Sequence, residues 1–319
     1  MPVYPVAAEK ASCRVPGCLC KERVACYPSD MTDPEWEILR PEAEQAMAEL
    51  RRGAGRPMDH ELRAMLDAIR YVTKNGIEWR ALPVDFPPWQ AVYAFFQRWS
   101  ARGMPQRLVD RLRGRLRGRL RVAAGRGELP TAGSIDSQSV KAADTVGAAS
   151  RGFDGGKKIN GRKRHLAVDS CGLLLAVVVT AASVQDRDGA CPLLALLRER
   201  FSTIVLVWAD GGYAGRLVSW AGAVLRLTVT IVKRSDDRRG FVVLPRRWVV
   251  ERTFGWLMRH RRLVRDHERL PEHHEAMVLW ATTMIMTRQL VRHTTGAPPH
   301  RRWGGDRKPR NTQQDQQAA

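Results

Sequence analysis

The stretch IVLVWADGGYAG, Ile204–Gly215, carries the decision about fold. An unbroken apolar run stops at Asp210, and two glycines and a tyrosine follow. A short apolar run closed by turn residues reads as a buried strand. Its neighbours alternate with it: GACPLLALLRERF reads as a helix before it, AGRLVSWAGAVL as a helix after it, and RLTVTIVKR as the next strand. Further upstream TAGSIDSQSV is a short strand, and HLAVDSCGLLLAVVVTAA is two strands about a turn at Ser170–Gly172. Downstream, RRWVVERTFGWLMRHRRL predicts one long helix starting near Pro245, and a last apolar helix spans about Pro271–Leu290. Strands first, then alternating helix and strand, predict an α/β fold: a mixed sheet with flanking helices.

The front of the chain has a different texture. TDPEWEIL opens a helix, with Thr32 placed to cap it, Glu35 three residues on and Pro34 in the first turn. A second helix starts near Asp59; Leu62, Met65, Leu66, Ile69 and Val72 recur at three and four, and Gly76 stops it. A third follows Pro88, with Trp89, Val92, Tyr93, Phe96 and Trp99 on one core-facing stripe. In RLVDRLRGRLRGRLR, Arg107–Arg121, the leucines suit a helix, although the alternating arginines also mimic a strand. Its only acid is Asp110, so it reads as a phosphate-contacting surface. The organisation expected is a loose leader (1–30), a smaller basic all-α DNA-binding domain (31–125), a catalytic α/β domain (126–292) and a polar tail (293–319).

Charge narrows the partner. The 319 residues include 53 Lys and Arg against 33 Asp and Glu, a net charge of +20. That points to a polyanion, with nucleic acid first. Nine of those bases are Lys and 44 are Arg, whose forked donors match phosphate. The longest apolar run, Leu173–Val184, is too short to span a bilayer, and no signal peptide opens the chain. The expected location is cytoplasmic and nucleoid-associated, without membrane contact. Cys13, Cys18, Cys20 and Cys26 lack the paired C-x2-C spacing of common zinc sites and read as part of the leader.

Two strands share one feature: one ends on Asp136 and the other on Asp210. If they are neighbours, both carboxylates emerge at the same edge, and Glu251, on the helix near Pro245, is brought there by packing. Three carboxylates at one point repel without a cation. Mg²⁺ takes hard oxygen ligands, and two such ions about 3.5–4 Å apart handle the attacking and leaving oxygens of a phosphodiester. The bland readings are a turn aspartate before glycine and a salt-bridged glutamate on an Arg-rich helix.

SIDSQSVK, GFDGGKKINGRKRHLAVD, VWADGGYAG and PRRWVVERTFGWLMRHRRLVRDHE, in this order, resemble the DDE transposases of bacterial insertion sequences, in the insertion-sequence-five group. The resemblance runs from about Met31 to Leu290 and includes the helical front segment. It implies an RNase H-like core with Asp136, Asp210 and Glu251 as the catalytic, metal-binding triad, and Mg²⁺ (Mn²⁺ substituting) as cofactor, two ions per site. It implies strand cleavage by water at the element ends, then attack of the freed 3′-hydroxyl on target DNA. The partners implied are double-stranded DNA, both terminal inverted repeats and target, and a second copy of the chain in a dimer or larger synaptic complex.

Around the glutamate, Arg247 occupies the family's arginine position; the tyrosine position is Leu244 and the lysine position Met258, so the basic role passes to Arg259 or Arg262. On one continuous helix Arg262 falls within about 20° of Glu251, so Arg247 and Arg262 are the candidates for gripping phosphate beside the metals. GGKKINGRKRH, Gly155–His165, predicts a basic hairpin turning at Asn160-Gly161. Its Lys157, Lys158, Arg162, Lys163 and Arg164, joined by Lys141, are expected to hold the DNA backbone. His165 is not needed as a general base if metal-bound water attacks. Three alternatives remain: a catalytically silent relative that represses by binding DNA, a metal nuclease that cuts without joining, and a basic α/β protein whose acids are structural.

Overall fold

Thr32 starts the first helix by the expected reciprocal cap. Its N–H donates to Glu35 Oε2 (3.1 Å), and the Glu35 N–H donates to Thr32 Oγ1 (3.4 Å). The structure is a computed structural model that describes residues 23, 25–50, 59–123, 129–232 and 248–295. Four helices lead: α1 (Asp33–Leu50), α2 (Leu62–Asn75), α3 (Trp89–Ala101) and α4 (Met104–Ala123). α2 ends where predicted, at Gly76, with φ 72° and its N–H on Val72 O. A Cβ at Gly76 would lie 2.9 Å from the Arg261 Cβ, so the αL turn also permits close packing.

The ambiguous leucine–arginine stretch is helical. Leu108, Leu112 and Leu116 of α4 are buried. Several of its described arginines, expected at a phosphate surface, are engaged within the protein. Arg107 pairs with Glu49, Arg111 with Glu42 (2.7 Å) and Arg113 with Asp110 (2.8 Å), while Arg115 donates to Ile38 O (2.8 Å). The neutralising acids Glu42 and Glu49 lie on α1, so the sequence around α4 alone could not show them. The expected loose leader also has a packed end: Tyr27 stacks on Phe86 at 5.3 Å between ring centroids, and Arg23 bridges to Asp30 at 2.8 Å. Cys13, Cys18 and Cys20 lie outside the described residues.

Six strands follow: β1 (Ala132–Lys141), β2 (Gly152–Asp154), β3 (Ile159–Asp169), β4 (Leu174–Ala181), β5 (Leu206–Ala209) and β6 (Thr228–Ile231). The sheet order is β2-β3-β1-β5-β6, with β4 also on β3. β1–β3 and β3–β4 are antiparallel, whereas β1–β5 and β5–β6 are parallel. This is the mixed, RNase H-like sheet that the resemblance implies. Helices α5 (Asp186–Arg200) and α6 (Arg216–Leu225) cover one face, with Ile135, Ala167, Val207 and Leu194 in their shared core. The other face, at Leu166, Val168 and Val177, packs with α7 (Trp248–Leu257), α8 (Pro271–Thr295) and the front helices in one continuous core. Trp99 of α3 stacks on Trp280 of α8 within that core, 5.9 Å between centroids.

Two local expectations are corrected. The basic hairpin turns at 155–158, not at Asn160-Gly161. Asp154 Oδ1 accepts the N–H groups of Gly156 and Lys157 (both 3.0 Å), and Lys158 takes φ 56°. That carboxylate turn wins because Gly161 is needed inside β3, where a Cβ would lie 1.9 Å from Val140 O. The long helix is broken: α7 stops at Leu257, and Arg261–Leu263 is a separate 3₁₀ turn. The helical-wheel relation between Glu251 and Arg262 therefore does not hold.

Candidate active site

The parallel register of β1 and β5 pairs Ala132 with Leu206, Gly133 with Val207 and Ser134 with Trp208. Carried on by two residues, it sets Asp136 across from Asp210. β5 ends at Ala209, so the ladder opens there. Asp136 does not end its strand as expected, since β1 continues to Lys141 against β3. It faces the opening because the partner strand stops first. Asp136 Oδ1 accepts the Ser137 N–H (2.7 Å). Asp210 caps the next 3₁₀ turn, accepting the Gly212 N–H at 2.8 Å. The opening Asp is thus both a cap and a neighbour of a second carboxylate.

Tyr213, in that 3₁₀ turn, is 1 % exposed. Burial first, then the charges of Asp136, Asp186 and Asp210, push its hydroxyl well above the ordinary tyrosine range. The three carboxylates therefore act on one buried hydroxyl. Asp186, at the start of α5, had no signal in the sequence beyond being an acid in a first turn. Its carboxylate sits 2.8 Å from Lys163 Nζ. Burial works to raise it, but the bonds from Lys163 and Ser137 prevail and leave it below the usual carboxylate range. Asp154 is drawn to about 2, chiefly by the Ser139 hydroxyl. His165 is buried, with Nε2 3.0 Å from Thr180 Oγ1, and burial pushes it down to about 4. It is neutral at neutral pH.

Glu251 is exposed in the first turn of α7. That helix packs on β1 and β3, and Leu166, opposite Asp136, shares its core with Val249, Val250 and Phe254. α7 is pinned to the β3–β4 turn: Arg252 donates to Cys171 O (2.8 Å) and Thr253 to Gly172 O (2.8 Å). Gly172 has φ 82°, and a Cβ there would meet the Arg252 guanidinium at 3.0 Å. Even so, the expected cluster does not close. Among the described residues no three His, Cys, Asp or Glu side chains come together closely enough to hold a metal ion. The donor chemistry of Asp136 and Asp210 suits a hard divalent cation, and Glu251 lies in the first turn of the adjoining helix.

The basic candidates divide. Lys141, Lys157, Lys158 and Arg259 are exposed. Arg162, Lys163, Arg164 and Arg262 are buried and bonded within the protein, a correction to their expected role at the DNA backbone. Arg162 meets Asp266 (3.0 Å), and Arg262 meets Glu268 (2.7 Å). Arg164 donates to Leu263 O (3.1 Å) and to Gln138. Lys163 donates to Val184 O (2.8 Å) as well as holding Asp186. Strand alternation put Arg162, Lys163 and Arg164 on the two covered faces of β3, a fact that needs the packing to see. Arg247 and Leu244 lie outside the described residues. Among the described residues no helix is long and apolar enough to cross a membrane.

Comparison with known proteins matches both halves. Residues 127–287 match the family described as Transposase DDE domain, and residues 31–109 match that described as Putative transposase of IS4/5 family. A putative transposase for insertion sequence element IS402 from Burkholderia cepacia is 31% identical over 139 residues. That match covers 41% of this chain and 65% of the relative, so the chain spans somewhat under two thirds of the relative's length. The DDE match takes in the sheet from before β1 to within α8, including the strands whose register brings Asp136 to Asp210, and the front helices match the same group. The chain belongs to the DDE transposases of the IS4/5 type.

Proposed function

We propose that this chain binds the ends of an insertion sequence and cuts and joins DNA there, with Asp136, Asp210 and Glu251 holding Mg²⁺ or Mn²⁺. The observation that carries the reading is the parallel register that sets Asp136 across from Asp210 where β5 ends. Magnesium bound there supplies a more acidic water and neutralises charge building on the phosphate. The rest is the work of the chain. The backbone amides of Ser137 and Gly212 orient the two aspartates, and buried Tyr213 closes the floor behind them. Glu251, in the first turn of the adjoining α7, is the third ligand in this reading. Lys157 and Lys158, exposed on the hairpin, reach the phosphate backbone, with Lys157 Nζ 3.5 Å from Ser137 O.

In the first step a water oxygen bonds to phosphorus and the bond to the 3′ oxygen breaks. That oxygen takes a proton and becomes a free 3′-hydroxyl. In the second step the hydroxyl attacks a target phosphodiester, so one P–O bond forms as another breaks and no covalent protein–DNA link is needed. Two ends must be handled together, which is the reason for a dimer or larger complex.

The test is strand cleavage and joining on labelled DNA carrying the element's own ends, with Mg²⁺ or Mn²⁺. The unaltered chain should give nicked and joined products. Asp210→Ala should bind the DNA and lose both products by at least about a hundredfold. Binding without cutting by the unaltered chain would make it a repressor-like relative. Cutting without joining would make it a nuclease.

A further inference from the structure

Residues 259–269, RHRRLVRDHER, hold five arginines and two acids. Both acids turn inward: Asp266 is 0% and Glu268 4% exposed. Asp266 accepts from Arg162 (3.0 Å) and meets His274 Nδ1 (2.9 Å), and Glu268 accepts from Arg262 (2.7 Å). The acids of this segment are thereby neutralised from inside. Arg259, Arg261, Arg265 and Arg269 remain exposed, and none makes an ion pair with a described residue.

The segment is also fixed in place. The Asp266 N–H donates to Lys141 O (2.9 Å), and the Ala143 N–H donates to Asp266 O (2.7 Å), stitching it to the end of β1. Arg262 donates to Ile77 O (2.9 Å) and Lys74 Nζ to Arg259 O (2.8 Å), tying it to the end of α2. Burial, then the charges of Arg288, Arg259 and Arg261, lower the Lys74 pKa, a sign of like charges crowded together. Lys141, exposed at the end of β1, adds another base.

We propose that the outer edge of 259–269, with Lys74 and Lys141, is a preformed track for the phosphate backbone of duplex DNA, running from the end of α7 to the end of β1. It rests on the reading that this chain acts on DNA, and it names the surface that grips it. Arginine suits that partner because its fork takes two phosphate oxygens at once. Rigid backbone ties and inward acids leave this edge uniformly cationic. A solvated segment with five arginines and two acids would instead pair them along its surface.

The experiment is anisotropy binding of the full chain to a labelled duplex of arbitrary sequence, between about 50 and about 200 mM salt. Each phosphate contact contributes about 0.9 to the slope of log K against log salt. The triple variant Arg261→Gln, Arg265→Gln, Arg269→Gln should lower the slope by about two to three units. The charge-matched control Arg102→Gln, Arg187→Gln, Arg226→Gln should leave it nearly unchanged, and the three-lysine version of the track should recover most of it. Equal slopes for track and control variants overturn the track alone, with DNA binding intact. No binding by the unaltered chain overturns the track together with the DNA-acting reading. Thermal melts of all variants exclude unfolding as the cause of a lost slope.

Discussion

Arg162 and Arg259 have the same side chain and opposite fates. Arg162 is 1% exposed, and its guanidinium reaches Asp266, Ser150 and the carbonyls of Glu268 and Arg269. Arg162→Met strands the Asp266 charge in the interior and should cost about 3–5 kcal/mol in a denaturant melt. Arg259→Gln, on an exposed side chain, should change stability by less than about 0.5 kcal/mol. Equal costs would show that Asp266 does not depend on Arg162. The difference is invisible in the run GRKRH, because a basic residue carries no mark of the acid 104 positions on that will bury it. Asp136 and Asp210 were legible, by contrast, since a carboxylate closing an apolar run is unusual in itself.

Elements meet through a few directed contacts. β4 is an edge strand, paired with β3 alone. The N–H of its Val179 donates to Glu275 Oε1 of α8 at 2.8 Å, which blocks that edge. Burial raises the Glu275 carboxyl from 4.5 to about 7. The folded state therefore keeps the proton between those values while the unfolded state has lost it. Stability from this group falls as pH rises through that window and is level above it, by up to about 3 kcal/mol. Glu275→Gln should remove the Glu275 share of that fall. Asp67, raised by burial from 3.8 to about 7, keeps its own fall of the same sign, opposed by the slope of His165 and His260, both held near 4 by burial, which favours folding as pH rises from about 4 to 6.5. Unfolding free energies at several pH values check both signs. At the other end of the chain, Thr32→Ala removes one half of a reciprocal cap and should cost about 0.5–2 kcal/mol, read from the melting midpoint.

For the molecule as a whole, the front helices, α7 and α8 share one core over a single face of the sheet. The net charge of +20 is distributed unevenly by that packing. On α4 Arg107, Arg111 and Arg113 are answered by Glu49, Glu42 and Asp110, and the bases of β3 are internal, whereas the 155–158 turn and 259–269 keep exposed bases. DNA binding should accordingly be steep in salt yet insensitive to Arg115→Gln on α4, whose donor already serves Ile38 O. A loss of binding on that change, measured by anisotropy, would return the DNA surface to the front helices.

Local patterns determined much of this protein from sequence: the alternation of strands and helices, the Thr32 cap, the Gly76 stop and the two aspartates at the sheet. Each rests on interactions within a few residues, which is what periodicity and turn chemistry record. Tertiary structure alone decided which bases stay outside, where the hairpin turns, that α7 breaks at Leu257, and that Asp186 and Lys163 stand beside the aspartates. Those outcomes depend on partners far along the chain, on the face a strand presents and on how closely two backbones approach. Burial sets the cost of a charge, and burial is a property of the packed molecule.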